Sequence, residues 1–185
     1  ACARCPIGAQ ATQAVGGVGP IDAPLMIVGE QPGDREDLEG VPFVGPAGQL
    51  FDAVAAEAGL DRKAAYVTNA VKHFKFTPRG KRRIHQRPHR TEVEACRVWL
   101  EREITLVQPA FILALGATAA MALTGNGANL MTRRGRVERG IEGIPVLITL
   151  HPSAILRSDD PTDLREKLKE DLTQAVNMLT EIARI

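Results

Sequence analysis

Pro24-Leu25-Met26-Ile27-Val28, followed at once by Gly29-Glu30-Gln31-Pro32-Gly33-Asp34, decides the fold. The first five residues are apolar without alternation, which is the pattern of a parallel strand covered on both faces. The polar, Gly- and Pro-bearing residues that follow end the strand and open a loop. Three other segments repeat the arrangement: Ala65 to Asn69, Ala110 to Leu115 and Pro145 to Leu150. They run into Asn69-Ala70-Val71-Lys72-His73, Leu115-Gly116-Ala117-Thr118 and His151-Pro152-Ser153.

Helical patterns lie between these strands. Ala47 to Ala58 carries apolar residues at helical spacing and stops at Gly59. Thr91 to Leu106 opens on Thr91-x-x-Glu94, a capping-box pattern, and closes before Pro109. Ala117 to Leu123 is a short helix after Gly116, and a final helix runs from Thr162 to Ala183 behind Asp159-Asp160-Pro161. Strands alternating with helices predict an α/β three-layer sandwich with a central, mainly parallel four-stranded sheet flanked by helices. The chain reads as one domain over residues 1–185, with ligands expected beyond the carboxyl ends of the strands.

Composition is that of an ordinary globular protein, with 44% hydrophobic and 24% charged residues. No apolar run reaches the roughly 20 residues that cross a bilayer, and a cytoplasmic, bacterial, monomeric protein is expected. Aromatics make up only 4%, which argues against an extended base-stacking platform, while the scarcity of aromatic wedges near the strand-end loops leans weakly towards a single-stranded partner. Cys2, Cys5 and Cys96 are the only cysteines, and an odd count argues against a disulfide framework. The Cys2-x-x-Cys5 pair is a metal or redox signal, without the strand-to-helix context of a thioredoxin motif.

Charge is distributed unevenly. The formal net charge is +1, yet Lys72 to Arg90 holds eight of the 23 Lys and Arg residues and three of the four histidines, without Asp or Glu. At its centre stands Lys81-Arg82-Arg83-Ile84-His85. Taken alone, this basic loop over residues 75–90 is either a solvated charge run or a surface that neutralises phosphates. A second basic stretch, Arg133, Arg134, Arg136 and Arg139, reads equally as an opposite DNA flank or a solvated hairpin.

Six blocks in order carry a resemblance over nearly the whole chain. They are CARCP at the start, GEQPGDREDLEGVPFVGPAG from Gly29, VTNAVKHFKF from Val67, KRRIH with the Cys96 helix, LGATAA from Leu115 and HPSAILR from His151. Together they resemble the iron–sulfur, family 4 branch of the uracil-DNA glycosylases, and KRRIH resembles its UdgX subgroup. The resemblance implies a [4Fe–4S] cluster, normally held by four cysteines. With three present, His73 stands where a cysteine would follow VTNAVK, so the implied ligands are Cys2, Cys5, His73 and Cys96.

It also implies a base pocket. Phe43 would stack on uracil, and the Asn69 amide would read its N3 and O4 edge, with Gly29 and Ser153 completing the pocket. Without the resemblance, Phe43 reads as core and Asn69 as a strand-end turn. His151 would hydrogen-bond the departing uracilate, Glu30 would stabilise the cationic sugar, and Gln31 and Asp34 would hold water or sugar. In the UdgX subgroup the product stays attached to the histidine of KRRIH. By that resemblance His85 attacks C1′ once and remains bound, while Lys81, Arg82, Arg83 and Arg87 clamp phosphates. The alternative is a conventional multiple-turnover enzyme that releases uracil and a free abasic site. The implied partner is uracil-containing DNA, with uracil as product.

Overall fold

A computed structural model describes residues 2–184. The four expected strands form within a residue of their anticipated limits: β1 (Leu25–Gly29), β2 (Tyr66–Asn69), β5 (Phe111–Leu115) and β7 (Pro145–Thr149). All four are parallel, in the order β2-β1-β5-β7. A fifth strand, β6 (Val137–Arg139), adds antiparallel to the β7 edge, so the sheet has five strands rather than four. Only three residues long and reading Val-Glu-Arg, it has neither the length nor the apolar run that marks the others.

The helices are α1 (Ile7–Gln10), α2 (Asp34–Glu39), α3 (Pro46–Ala58), α4 (Arg90–Val107), α5 (Ala117–Thr124), α6 (Leu130–Arg133), α7 (Pro152–Leu156) and α8 (Pro161–Ile182). Successive residues of each parallel strand serve opposite layers. Met26, Val28, Ile112, Ala114, Val146 and Ile148 pack with Leu100 and Ile104 of α4 and Ala120 and Leu123 of α5. Leu25, Ile27, Leu113, Leu115 and Leu147 pack with Phe51 and Val54 of α3 and Leu168 and Leu172 of α8. Burial on both faces explains why these strands lack alternation in sequence.

Two local features differ from expectation. Helix α4 starts at Arg90, one residue early, because the Glu92 carboxylate reaches back to accept from the His89 amide at 2.6 Å; Thr91 and Glu94 do not form the cap. The basic segment is not a loop: β3 (Phe76–Arg79) and β4 (Arg82–His85) pair as an antiparallel hairpin, with His85 opposite Phe76. No helix is long and apolar enough to cross a membrane among the described residues.

Candidate active site

The carboxyl ends of the parallel strands deliver their polar residues to one cavity of about 380 Å³, lined by Glu30, Phe43, Asn69, His85, His151 and Ser153 among others. Gly29, the last residue of β1, permits this convergence. A Cβ there would lie 2.4 Å from Asn69 Oδ1 and 2.6 Å from the Phe43 ring. Gly116 does the same for His151, where a Cβ would stand 2.9 Å from that of the histidine.

Asn69 is held from behind by a buried network. The Lys72 ammonium donates to the Asn69 carbonyl at 2.7 Å, to Thr68 Oγ1 at 2.7 Å and to Glu103 at 2.6 Å. Burial alone would drive the proton off Lys72, and Glu103 opposes this. The Asn69 side-chain amide, 2% exposed as a residue, has no protein hydrogen-bond partner among the described residues and faces the cavity with a free donor and a free acceptor.

Phe43 adopts a left-handed backbone, φ 58°, which is uncommon for a residue with a bulky side chain. Arg62 secures it, donating to the carbonyls of Phe43 at 3.3 Å and Pro42 at 3.1 Å. The ring then lies 6.1 Å from Phe51 and 6.2 Å from the His151 imidazole. This strain has no sequence signal beyond the surrounding glycines.

His151 caps α7. Its Nδ1 accepts from the Ser153 amide at 3.1 Å and lies 2.8 Å from the Ser153 hydroxyl. A nitrogen that accepts from an amide carries no proton, so in the neutral ring the proton is on Nε2. Burial pushes the imidazole pKa down to about 4, partly offset by Glu30. Near neutrality His151 is therefore an uncharged hydrogen-bond donor.

Glu30 faces two histidines. Its Oε1 lies 3.2 Å from His85 Nε2, and its Oε2 accepts from Thr118 Oγ1 at 2.5 Å. Burial raises its pKa, but the His85 and Thr118 hydrogen bonds and the nearby imidazoles outweigh it, so the carboxyl is held below the ordinary range. His85 is half exposed, with its ring 6.2 Å from that of Phe74.

The basic residues divide. Arg87, though largely exposed, donates from Nε to Thr118 Oγ1 at 3.3 Å, while Lys81 and Arg82 project into solvent. Arg83 does not: it donates to Asp34 at 2.6 Å and to the buried Asp37 at 2.5 Å, and it lies 5.4 and 5.1 Å from the Phe74 and Phe76 rings. It is drawn back as a tether of the hairpin. Gln31 and Asp34 line the cavity, and each also makes contacts within the protein. The Gln31 amide donates to the carbonyls of Lys75 and Gln86 at 3.2 and 3.0 Å and accepts from the Lys75 amide, closing the base of the hairpin. Asp34 is engaged by Arg83. In the second basic stretch, Arg133 is paired with Glu138 and Arg134 with Asp171, leaving Arg136 and Arg139 outside those pairs.

The cysteines lie at the other side of the hairpin base. Cys96 on α4 is buried and Cys2 and Cys5 are half-buried. Burial raises the Cys96 thiol pKa, and the charges of Cys5 and Cys2 add to the rise, while the Lys72 amide points at its sulfur from 3.3 Å. A Cβ on Gly8 would meet both the Cys2 carbonyl, at 2.6 Å, and the His73 ring, at 3.5 Å, so those two residues are also neighbours. His73 is buried, and that burial favours the neutral ring. Among the described residues no three His, Cys, Asp or Glu side chains meet closely enough to hold a single metal ion.

A family model described as the uracil DNA glycosylase superfamily matches residues 17–177. The chain belongs to the uracil-DNA glycosylase superfamily. It is 39% identical to a type-4 uracil-DNA glycosylase of Pyrobaculum aerophilum, over 92% of this chain and 86% of that protein. It is 35% identical to a type-4 uracil-DNA glycosylase of Thermotoga maritima, over 96% of this chain and 89% of that one. A third, from Archaeoglobus fulgidus, is 34% identical over 92% of this chain and 84% of its own length. Within this superfamily member, residues missed by sequence reasoning are Thr118, which stood in a strand-end segment and a quoted motif without a role, and Arg62, which nothing in sequence ties to Phe43.

Proposed function

We propose that this protein excises uracil from DNA, using the cavity beneath Glu30 and His151. The observation that carries the proposal is the convergence on one cavity of an unengaged Asn69 amide, the Phe43 ring and a neutral His151 whose Nε2 bears the proton. Asn69 reads the flipped base through N3 and O4, and Phe43 covers its face. The C1′–N1 bond breaks with its electron pair passing to the base. His151 Nε2–H donates to uracil O2 as charge develops there, and ionised Glu30 stabilises the sugar cation. Lys81, Arg82 and Arg87 neutralise phosphates.

The names of the relatives fit ordinary turnover best: water adds to C1′, loses its proton towards Glu30, and an abasic site is released. One observation favours a second reading, capture by His85. Its imidazole lines the same cavity, with Nε2 3.2 Å from a carboxylate that can only accept. In the tautomer with its proton on Nε2, beside Glu30, the other ring nitrogen keeps its lone pair for C1′. Attack forms a C1′–N bond, and the imidazolium sheds its Nε2 proton through Glu30 to solvent. The KRRIH resemblance to the UdgX subgroup supports this reading.

His85→Ser separates the two. Under capture, the parent gives a protein–DNA band stable to heat and SDS, and the variant releases uracil without that band. Under ordinary turnover, neither gives the band and one protein releases many uracils. Loss of uracil release from parent and variant alike would remove the shared proposal.

The donor set fits a [4Fe–4S] cluster on Cys2, Cys5, His73 and Cys96: three thiols, a ring kept neutral by burial, and an amide aimed at one sulfur. When bound, the cluster would tie the N-terminal segment to the hairpin base and to α4. Iron and acid-labile sulfide should be present in the purified protein and fall in Cys96→Ala.

A further inference from the structure

We infer that Thr118 is a positioning residue that fixes which oxygen of Glu30 faces the reacting sugar. The inference rests on the glycosylase reading of the cavity, in which Glu30 acts at C1′.

Hydrogen-bond polarity makes the argument. Arg87 Nε can only donate, and it lies 3.3 Å from Thr118 Oγ1. The Thr118 hydroxyl must accept from it, so its single proton is directed to Glu30 Oε2, 2.5 Å away. That occupies Oε2 and leaves Oε1 towards His85 Nε2 at 3.2 Å. The result is an ordered chain from Arg87 through Thr118 to Glu30. Thr118 is 1% exposed, in the first turn of α5 immediately after Gly116 and Ala117. Its branched side chain has few rotamers to choose from, and buried packing selects one.

Arg87 cannot do this by itself. Its side chain is 63% exposed and its Nε is 3.8 Å from Glu30 Oε2. It is also one of the cations free to follow a phosphate. Thr118 keeps the carboxylate in place when Arg87 moves. Without the hydroxyl, Glu30 Oε2 loses its donor, and Arg87, with its Nε 3.8 Å away on an exposed side chain, does not replace it. The charged and titratable groups that line the site with Glu30 are His85 and Arg87 from the hairpin side, His151 and Arg157 at the two ends of α7, and Asp34, Arg35 and Glu36 of α2.

The test compares the parent with Thr118→Val, which removes the hydroxyl at nearly constant size, and with Thr118→Ser, which restores it. Two quantities are followed against pH: the carbon-13 shift of the Glu30 carboxyl in the free protein, and single-turnover release of uracil from a uracil-containing oligonucleotide. A donor to a carboxylate holds its titration down, so Thr118→Val should move both the Glu30 titration and the acid limb of uracil release upwards by roughly one pH unit. It should also slow release about tenfold at neutral pH if roughly 1.4 kcal/mol of positioning is lost. Thr118→Ser should return both towards the parent. Unchanged titration and acid limb in a folded Thr118→Val protein would overturn the inference, as would a Ser variant that behaves like Val. If the parent releases no uracil, the glycosylase reading fails, while the carboxyl titration still reports whether Thr118 holds Glu30.

Discussion

His85 and His151 face one carboxylate across a single cavity, and their surroundings give them different tasks. His151 is enclosed, tied by Nδ1 to the Ser153 amide, and has its pKa pushed to about 4. His85 sits half exposed on a hairpin. Replacing His151 with Asn removes the Nε2–H that the proposed reaction aims at the departing base, because the shorter amide does not reach that position, and single-turnover uracil release should fall about 10²–10³-fold. The same residue carries a pH signature. Its folded pKa of about 4 lies below the ordinary 6.5, so between those values the unfolded chain binds more protons. The stability associated with His151 is thus intact above about pH 6.5 and is lost as pH falls towards 4. Thermal melting at pH 7 and pH 4.5 should differ less in His151→Asn than in the parent; an equal difference would reject the buried neutral ring. At this scale the sequence motifs singled out Glu30, Asn69, Phe43 and His151, and the fold brings all four to one cavity. Sequence could not identify Thr118, because a hydroxyl in a helix's first turn has the same signal whether or not it meets a carboxylate 88 positions away.

The β3–β4 hairpin shows how an element turns a charge cluster into a positioned side chain. Arg82 points outward, while the adjacent Arg83 points back to Asp34 and Asp37 and lies against Phe74 and Phe76. Gln31 closes the base of the same hairpin. Arg83→Met would leave the fully buried Asp37 without its cation, at a cost of about 3 kcal/mol. The melting temperature should drop by several degrees, and adduct formation through His85, where it occurs, should fall more than uracil release. An unchanged melting temperature would show that the tether contributes nothing. The composition of KRRIH was legible as a basic cluster, but its pairing was not: Arg83 alone is drawn inward, although its side chain is identical to that of Arg82. The edge strand β6 escaped for a related reason, since Arg133 and Arg134 before it look solvated in sequence yet are committed to Glu138 and Asp171.

Over the whole molecule, a net charge of +1 conceals a run of eight Lys and Arg residues between Lys72 and Arg90. Lys81 and Arg82 make no ion pair among the described residues, and under the proposed function they contact phosphates. Replacing both with Ala should weaken binding to uracil and thymine oligonucleotides alike. It should also flatten the logarithmic salt dependence by about 0.7–0.9 for each phosphate no longer neutralised. An unaltered slope would place the DNA elsewhere. The parallel core and its three layers were legible because apolar runs of this length, bounded by turn residues and alternating with helices, are what a sheet buried on both faces requires. The rim was legible because each run ends in polar residues, and a parallel sheet brings such ends together.

The most direct measurement is uracil release and product mobility on one denaturing gel, using labelled uracil and thymine oligonucleotides of otherwise identical sequence. The account predicts that only the uracil strand is processed, with free uracil recovered. The sugar then appears either as a heat-stable protein–DNA band, placing His85 at C1′, or as an alkali-cleaved strand, leaving water in that role. No uracil from either strand, or equal processing of thymine, would contradict the assignment of this cavity.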